Sequence, residues 1–365
     1  MNNNKICMIG CGPGSMTMAV ELGLKGYKIR ICDMPLFDKN LRDIQKQGGI
    51  KALGKINGFY KPEIVTTRIE EAIKGVDVIF INARAFGHHE IVKNMLPYLE
   101  SGQMVISWTP YFFCLRFYDL VKKEGRKDIL LAEGHILPYF TKIIAPATVE
   151  VYNVKKYLKI AAMPSKETSK VLSTIKHMFP ACEMATNVLE TSLDNFNFTA
   201  HVPQSLLNVG WWEQTNGDVE FYGSLVTPKV CDVMEAIDNE RITVGKALGL
   251  KLTPHLIANN LAYGIEANSL YESFRRLTSH HTYRPKMSLN EFASRGALGE
   301  DLLYCFVPLS SIGDQLDMDT PIVDSLVNLA CVILQRDYWT EGLTMEKIGL
   351  ANMNVSQMIN YVTNG

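Results

Sequence analysis

Lys5-Ile6-Cys7-Met8-Ile9-Gly10-Cys11-Gly12-Pro13-Gly14-Ser15 is an apolar run that stops in three closely spaced glycines. Residues compatible with a helix follow from Ser15 to Leu24, Gly26 ends them, and Lys28–Cys32 (KIRIC) has the composition of a second strand. A tight glycine turn between strand and helix brings backbone N–H groups and a helix N-terminus together, which suits a pyrophosphate. Asp33 stands at the end of the second strand, 23 residues after Gly10, where a carboxylate can accept from ribose hydroxyls. Gly10, Cys11, Gly12, Pro13, Gly14, Ser15 and Asp33 are therefore the expected dinucleotide-binding residues, with Ala83 beyond a later strand added to them. Ser15 occupies the third glycine position; it is small enough for close helix–strand packing but carries a hydroxyl. Asp33 repels a 2′-phosphate and is followed by Met34 and Pro35 instead of an arginine, so NAD(H) is favoured over NADP(H).

Working outward, Val76–Ile81, Met104–Ser107 and Ile129–Ala132 are further aliphatic runs, separated by helix-length segments such as His88–Leu99. That rhythm predicts a parallel sheet with helices on both faces. Past about residue 185 the pattern becomes helical. Val230, Val233, Ile237, Val244 and Leu248 draw one stripe, with Arg241 where another apolar residue is expected. Thr320-Pro321 predicts an N-cap and first-turn proline for a helix carrying Ile322, Leu326, Leu329 and Ile333. The expected organisation is a Rossmann-like α/β domain over 1–185 and an all-α domain over 186–365, packed around a cleft.

The chain has 365 residues, enough for two domains, with 47% hydrophobic and 21% charged side chains, as in a folded globule. Lysine plus arginine (37) balance aspartate plus glutamate (38), so there is no overall basic field for nucleic acid or an anionic membrane. No apolar run approaches a bilayer span, and the start has no signal-peptide pattern. Eight cysteines lie singly with no C-x-x-C pair, which points to reduced thiols in a cytoplasm. The pairs His88-His89 and His280-His281 lack metal-ligand spacing, and no metal is expected.

Reduction of a carbonyl or imine by a nicotinamide needs a proton donor, and His201, just past the expected boundary, is the candidate. Trp211-Trp212 suits either a core or a side-chain pocket. Asp238, Glu240 and Arg241 are expected to form an ion-pair network between the domains.

Several segments, in order, resemble the octopine/nopaline (opine) dehydrogenase family over nearly the whole chain. They include Ala85-Phe86-Gly87-His88, Leu137-Pro138-Tyr139, Asn197–His201 with Pro203, Phe221-Tyr222 and Thr227-Pro228. Ile237–Arg241, Ala247–Leu250, Glu300-Asp301 and Val307–Gly313 continue the series. The resemblance implies NAD(P)H-dependent condensation of a 2-oxo acid, such as pyruvate, with the amino group of an amino acid, through an imine. It also implies His201 as the catalytic histidine, Asp301 as its partner, and Asn197 and Tyr222 at the substrate. The family commonly has an arginine five positions before that aspartate, where this chain has Gly296; Arg295 beside it is the substituted expectation for a carboxylate clamp. Thr141-Lys142 is a second departure, since some relatives carry cysteine and arginine there. A monomer or homodimer is expected. The rival readings are a simple 2-oxo or 3-hydroxy acid dehydrogenase, which needs no amine, and a nicotinamide-sensing regulator, which binds the cofactor without turnover.

Overall fold

In the computed structural model, which describes residues 5–126, 128–278 and 283–365, the chain divides into two compact units. The first runs to Thr191 and takes in Val362–Gly365; the second is Ser192–Tyr361.

Twelve strands are described in the first unit: β1 (Lys5–Ile9), β2 (Lys28–Cys32), β3 (Ile50–Gly54), β4 (Gly58–Tyr60), β5 (Ile64–Thr66) and β6 (Val78–Ile81). After them come β7 (Met104–Ser107), β8 (Leu130–Gly134), β9 (Tyr139–Ala145), β10 (Thr148–Val154), β11 (Leu158–Met163) and β12 (Cys182–Met184). Eight form one sheet in the order β12-β11-β8-β7-β6-β1-β2-β5. Every pair in it is parallel except β8 with β11. β6 and β7 are buried at every residue, as expected of strands covered on both faces. β1 lies between β2 and β6, so the strand order reverses at β1, and the crevice at its C-terminal end is where an open α/β sheet takes ligands. The glycine turn sits at that end.

A second, four-stranded sheet, β4-β3-β10-β9, was not anticipated. β3 pairs parallel with β10 from 51↔148 to 54↔151, and β9 and β10 form a hairpin around Pro146 and Ala147. The chain between β2 and β5 is therefore not a simple helical crossover but contributes the β3–β4 hairpin to this sheet.

In the second unit the described regular elements are helices. Helix Pro228–Ala247 is opened by Thr227, whose hydroxyl accepts from the Val230 N–H, and it buries Val230, Met234, Ile237 and Val244. Arg241 in that stripe is wholly buried because its guanidinium is matched on every side. It donates to Asp238 at 2.7 and 2.9 Å, to Asp194 at 3.2 Å, and to the Leu193 and Thr253 carbonyls at 2.8 and 2.5 Å. This corrects the expected interdomain network: these ion pairs close inside the second unit. Glu240 has a different task, accepting from the Ile322 and Val323 N–H groups at the start of helix Pro321–Leu334. Thr320 takes the N-cap position ahead of Pro321, as expected, but its side chain does not cap the helix. Its hydroxyl binds Asp324, and the carboxylate from the neighbouring helix satisfies the orphan donors instead. Among the described residues no helix is long and apolar enough to cross a membrane.

Candidate active site

The glycine turn is shaped by one close approach and one open space. Gly10 has φ +93°, donates its N–H to the Cys32 carbonyl, and lies so near Ala83 that a Cβ would meet that backbone at 3.0 Å. Only glycine meets both conditions without strain. Gly12, the N-cap of helix Pro13–Leu24, has nothing within 4 Å of where a Cβ would stand, so its backbone faces free space. Pro13 occupies the first helical position, where its missing N–H costs nothing. Asp33 faces the turn: Oδ2 accepts the Cys11 N–H at 2.6 Å and Oδ1 the Met34 N–H at 2.8 Å. Burial pushes the Asp33 carboxyl up and these two N–H groups pull it back. Burial holds the Cys11 thiol protonated, with Asp33 adding to the effect.

Two supporting contacts escaped the sequence reading. Asn82, following β6, donates to Ser15 Oγ at 3.1 Å, which gives the hydroxyl at the third glycine position a partner. Asn40 donates to the Cys11 carbonyl at 2.7 Å. The only sequence signal for either is an amide at a strand end or loop, which is too common to single out.

Ala83 is fixed from beneath. Its carbonyl receives His88 Nε2 and the Thr109 hydroxyl at 3.1 and 3.0 Å, while Arg116 approaches His88 Nδ1 at 3.4 Å. Burial, followed by the Arg116 charge, holds His88 well below the usual imidazole range, so it is a neutral structural group. Its neighbour His89 is exposed and packs near Phe117. His280-His281 lies outside the described residues.

In the second unit His201 and Asp301, 100 positions apart, meet: Nδ1 and Oδ2 are 2.7 Å apart. His201 lies on helix Phe198–Leu206; Asp301 ends helix Ala297–Asp301 and begins a π-helical segment, Leu302–Phe306, in a wholly buried position. Such a widened turn is frequent at functional sites. A buried carboxylate accepts, so it fixes the proton on Nδ1 and leaves Nε2 as the nitrogen that exchanges protons. Nε2 is 3.0 Å from the Tyr222 hydroxyl. Asn197 is half-buried one turn before His201 on the same helical face, and its carbonyl accepts the His201 N–H.

Arg295 is not brought to this group. It ends helix Leu289–Arg295 as an exposed side chain paired with Glu291. A side chain at Gly296 is excluded as well, since a Cβ there would stand 2.5 Å from the Phe292 carbonyl oxygen. The geometry therefore gives the expected carboxylate clamp no support at either position. Trp211 and Trp212 divide: Trp212 is buried and donates to the Met287 carbonyl, whereas Trp211 is exposed. All eight cysteines are free.

A doubly wound sheet with a glycine turn at its switch point, joined to a helical unit holding a histidine–carboxylate pair, defines an NAD(P)-dependent oxidoreductase of two-unit build. Comparison with known proteins agrees. Residues 184–334 match the family described as NAD/NADP octopine/nopaline dehydrogenase, alpha-helical domain. Opine dehydrogenase of Arthrobacter sp. (strain 1C) is 27% identical over 351 residues, 96% of either chain. Octopine dehydrogenase solved with NADH and agmatine superposes with a TM-score of 0.74 at 18% identity, covering 99% of this chain and 98% of the other. The same enzyme solved with NADH and pyruvate gives 0.70 at 17%, covering 96% of each. Yersinopine dehydrogenase bound to NADP+ gives 0.67 at 13%, covering 98% and 97%. The chain is thus similar to the octopine/nopaline dehydrogenases, and residues 184–334 match that family's helical domain.

Proposed function

We propose that this protein is an opine dehydrogenase using NADH in preference to NADPH. In this reading it joins a 2-oxo acid such as pyruvate to the amino group of an amino acid and reduces the resulting imine to a secondary-amine dicarboxylate. The observation that carries the reading is the 2.7 Å contact between His201 and Asp301, which leaves Nε2 to exchange protons at the reacting group. The Gly10–Ser15 turn, where Gly12 faces open space, would hold the pyrophosphate, and Asp33 would take the adenosine ribose hydroxyls with lone pairs not used by Cys11 and Met34. The bound cofactor supplies hydride. Asp301 holds the imidazole tautomer and stabilises its charged form, His201 manages the proton, and the Asn197 amide orients the substrate oxygen atoms. A cytoplasmic setting suits the eight free thiols.

The test is NADH oxidation over a grid of 2-oxo acids crossed with amino acids, each oxo acid also run alone, with product masses read. Consumption requiring both partners, with a product mass of both minus water plus two hydrogens, is the expected result. Turnover with an oxo acid alone makes the protein a simple dehydrogenase, and NADH binding without turnover favours a sensor. His201→Ala is expected to slow turnover about 10²-fold or more at unchanged NADH affinity.

A further inference from the structure

We propose that Tyr222 is the catalytic residue that touches the reacting nitrogen or oxygen, passing on a proton held by His201. The proposal rests on the reading above that His201 serves the imine or carbonyl, and it changes which atom meets the substrate.

Asp301 occupies Nδ1, so any proton His201 delivers must leave from Nε2. The Tyr222 oxygen already stands 3.0 Å from that nitrogen, in the position a substrate heteroatom needs for direct transfer. The substrate must therefore displace the phenol or be served through it.

The surroundings argue against displacement. Phe274 stacks on the Tyr222 ring at 6.3 Å with only 10° between planes, Phe221 meets it edge-on at 4.9 Å, and Tyr283 lies at 6.3 Å. The ring packs against a buried cluster that includes Ala200, Val226, Met234 and Leu270. Its backbone is held too. The Phe221 N–H donates to the Tyr283 carbonyl, Gly223 to Glu220, and Val226 to Gly223. Arg284 grips the Asp218 and Glu220 carboxylates that lead into the turn, both at 3.0 Å. Swinging the ring out would break all three aromatic contacts.

The step balances. With His201 doubly protonated, Nε2–H donates to the Tyr222 oxygen and the phenol O–H points at the imine nitrogen. As hydride passes from NADH to the imine carbon, the phenol proton moves to nitrogen and the Nε2 proton replaces it on oxygen. The C=N double bond becomes a C–N single bond bearing new C–H and N–H bonds, NADH is oxidised to NAD+, and His201 is left neutral. The phenol is intact and uncharged throughout, which suits a group too weakly acidic to ionise near neutral pH.

The test compares wild type, Tyr222→Phe and His201→Ala with an oxo acid and amine pair that supports turnover, following single-turnover NADH oxidation in H2O–D2O mixtures. For Tyr222→Phe the relay requires a loss of about 10²-fold in rate with KM within about threefold and NADH affinity unchanged. The wild-type rate should bow with deuterium fraction because two protons are in flight, and the residual rate of the variant should follow a straight line. Full or raised activity in Tyr222→Phe, or a straight wild-type plot, overturns the relay and leaves the dehydrogenase reading standing. Full activity in His201→Ala overturns both His201 and the relay, and a wild type that binds NADH but oxidises it with no pair overturns the enzyme reading itself. If Tyr222→Phe melts early, 3-fluorotyrosine at 222 keeps the ring and acidifies the phenol; the pH–rate profile must then move, and an unmoved profile overturns the proposal.

Discussion

Replacing Arg241 by methionine tests the reasoning about burial most directly. The side chain has no solvent exposure, and its carboxylate partners have little: Asp194 is 1% and Asp238 9% accessible at their side chains. Burial alone would make the guanidinium easier to deprotonate, yet the two carboxylates outweigh it and raise its pKa. Methionine keeps most of the volume and removes five donor contacts. Asp194 retains the Thr253 N–H and hydroxyl, and Asp238 retains the His255 N–H, so each carboxylate stays bonded but loses the Arg241 charge. Breaking a buried pair from one side costs about 3–5 kcal/mol. With an m-value of about 2 kcal/mol/M for a unit of this size, the urea midpoint should fall by about 1.5–2.5 M. Trp211, Trp212 and Trp339 report on the second unit, so intrinsic fluorescence reads the transition. Adding Asp194→Asn and Asp238→Asn to Arg241→Met removes the stranded charges, and the triple variant should recover at least about 1 kcal/mol. A single variant within about 1 kcal/mol of wild type, or a triple variant weaker than the single, would refute the argument.

Three further outcomes follow from other sites. Burial, with smaller pushes from Arg241 and His201 against the pull of Asp238, lowers the His255 pKa to about 4, so the fold holds it neutral while the unfolded chain protonates near 6.5. Its contribution is complete above about pH 6.5 and is lost as pH falls toward 4, by about 3 kcal/mol; His255→Gln should flatten urea midpoints measured across that window. Gly12→Ala should leave the melting temperature unchanged, because φ is −81° and the added carbon meets nothing, yet weaken NADH about tenfold by fluorescence titration. Equal NADH affinity would remove the pyrophosphate from that turn. Asp33→Asn should weaken NADH more than NADPH and so shrink the ratio of their dissociation constants, and an unchanged ratio would take the cofactor preference away from Asp33.

The first unit was readable where its pattern is local. The run into Gly10, the helix from Pro13 and the acid after β2 lie within 30 residues, and each signal supports the next. The second sheet was not readable, because Ile50–Gly54 and Gly58–Tyr60 are short and partly exposed, and the first of them pairs with a segment about 100 residues away. His201 and Asp301 came from resemblance, since no spacing rule joins residues on separate helices. Arg295 shows the limit of transfer by position: the backbone around Gly296 admits no side chain, and the adjacent arginine turns to its own helix. Arg241 and Glu240 were visible as charges on an apolar helix, but what they bind depends on Asp194 and on the next helix N-terminus.

The parallel pairing of β3 with β10 bears on how the chain acquires its structure. Residues 50–54 leave the ribosome long before residues 148–151, so the β3–β4 hairpin emerges with an open edge that nothing nearby can cover. A two-stranded hairpin is marginal alone. The early chain must wait through the synthesis of about 100 residues, several seconds at 5–20 residues per second, before that edge closes. Non-local parallel closure of this kind slows folding and prolongs exposure of a sticky edge. Chaperone dependence during expression should therefore track the β3–β10 junction more closely than the helical unit that follows it.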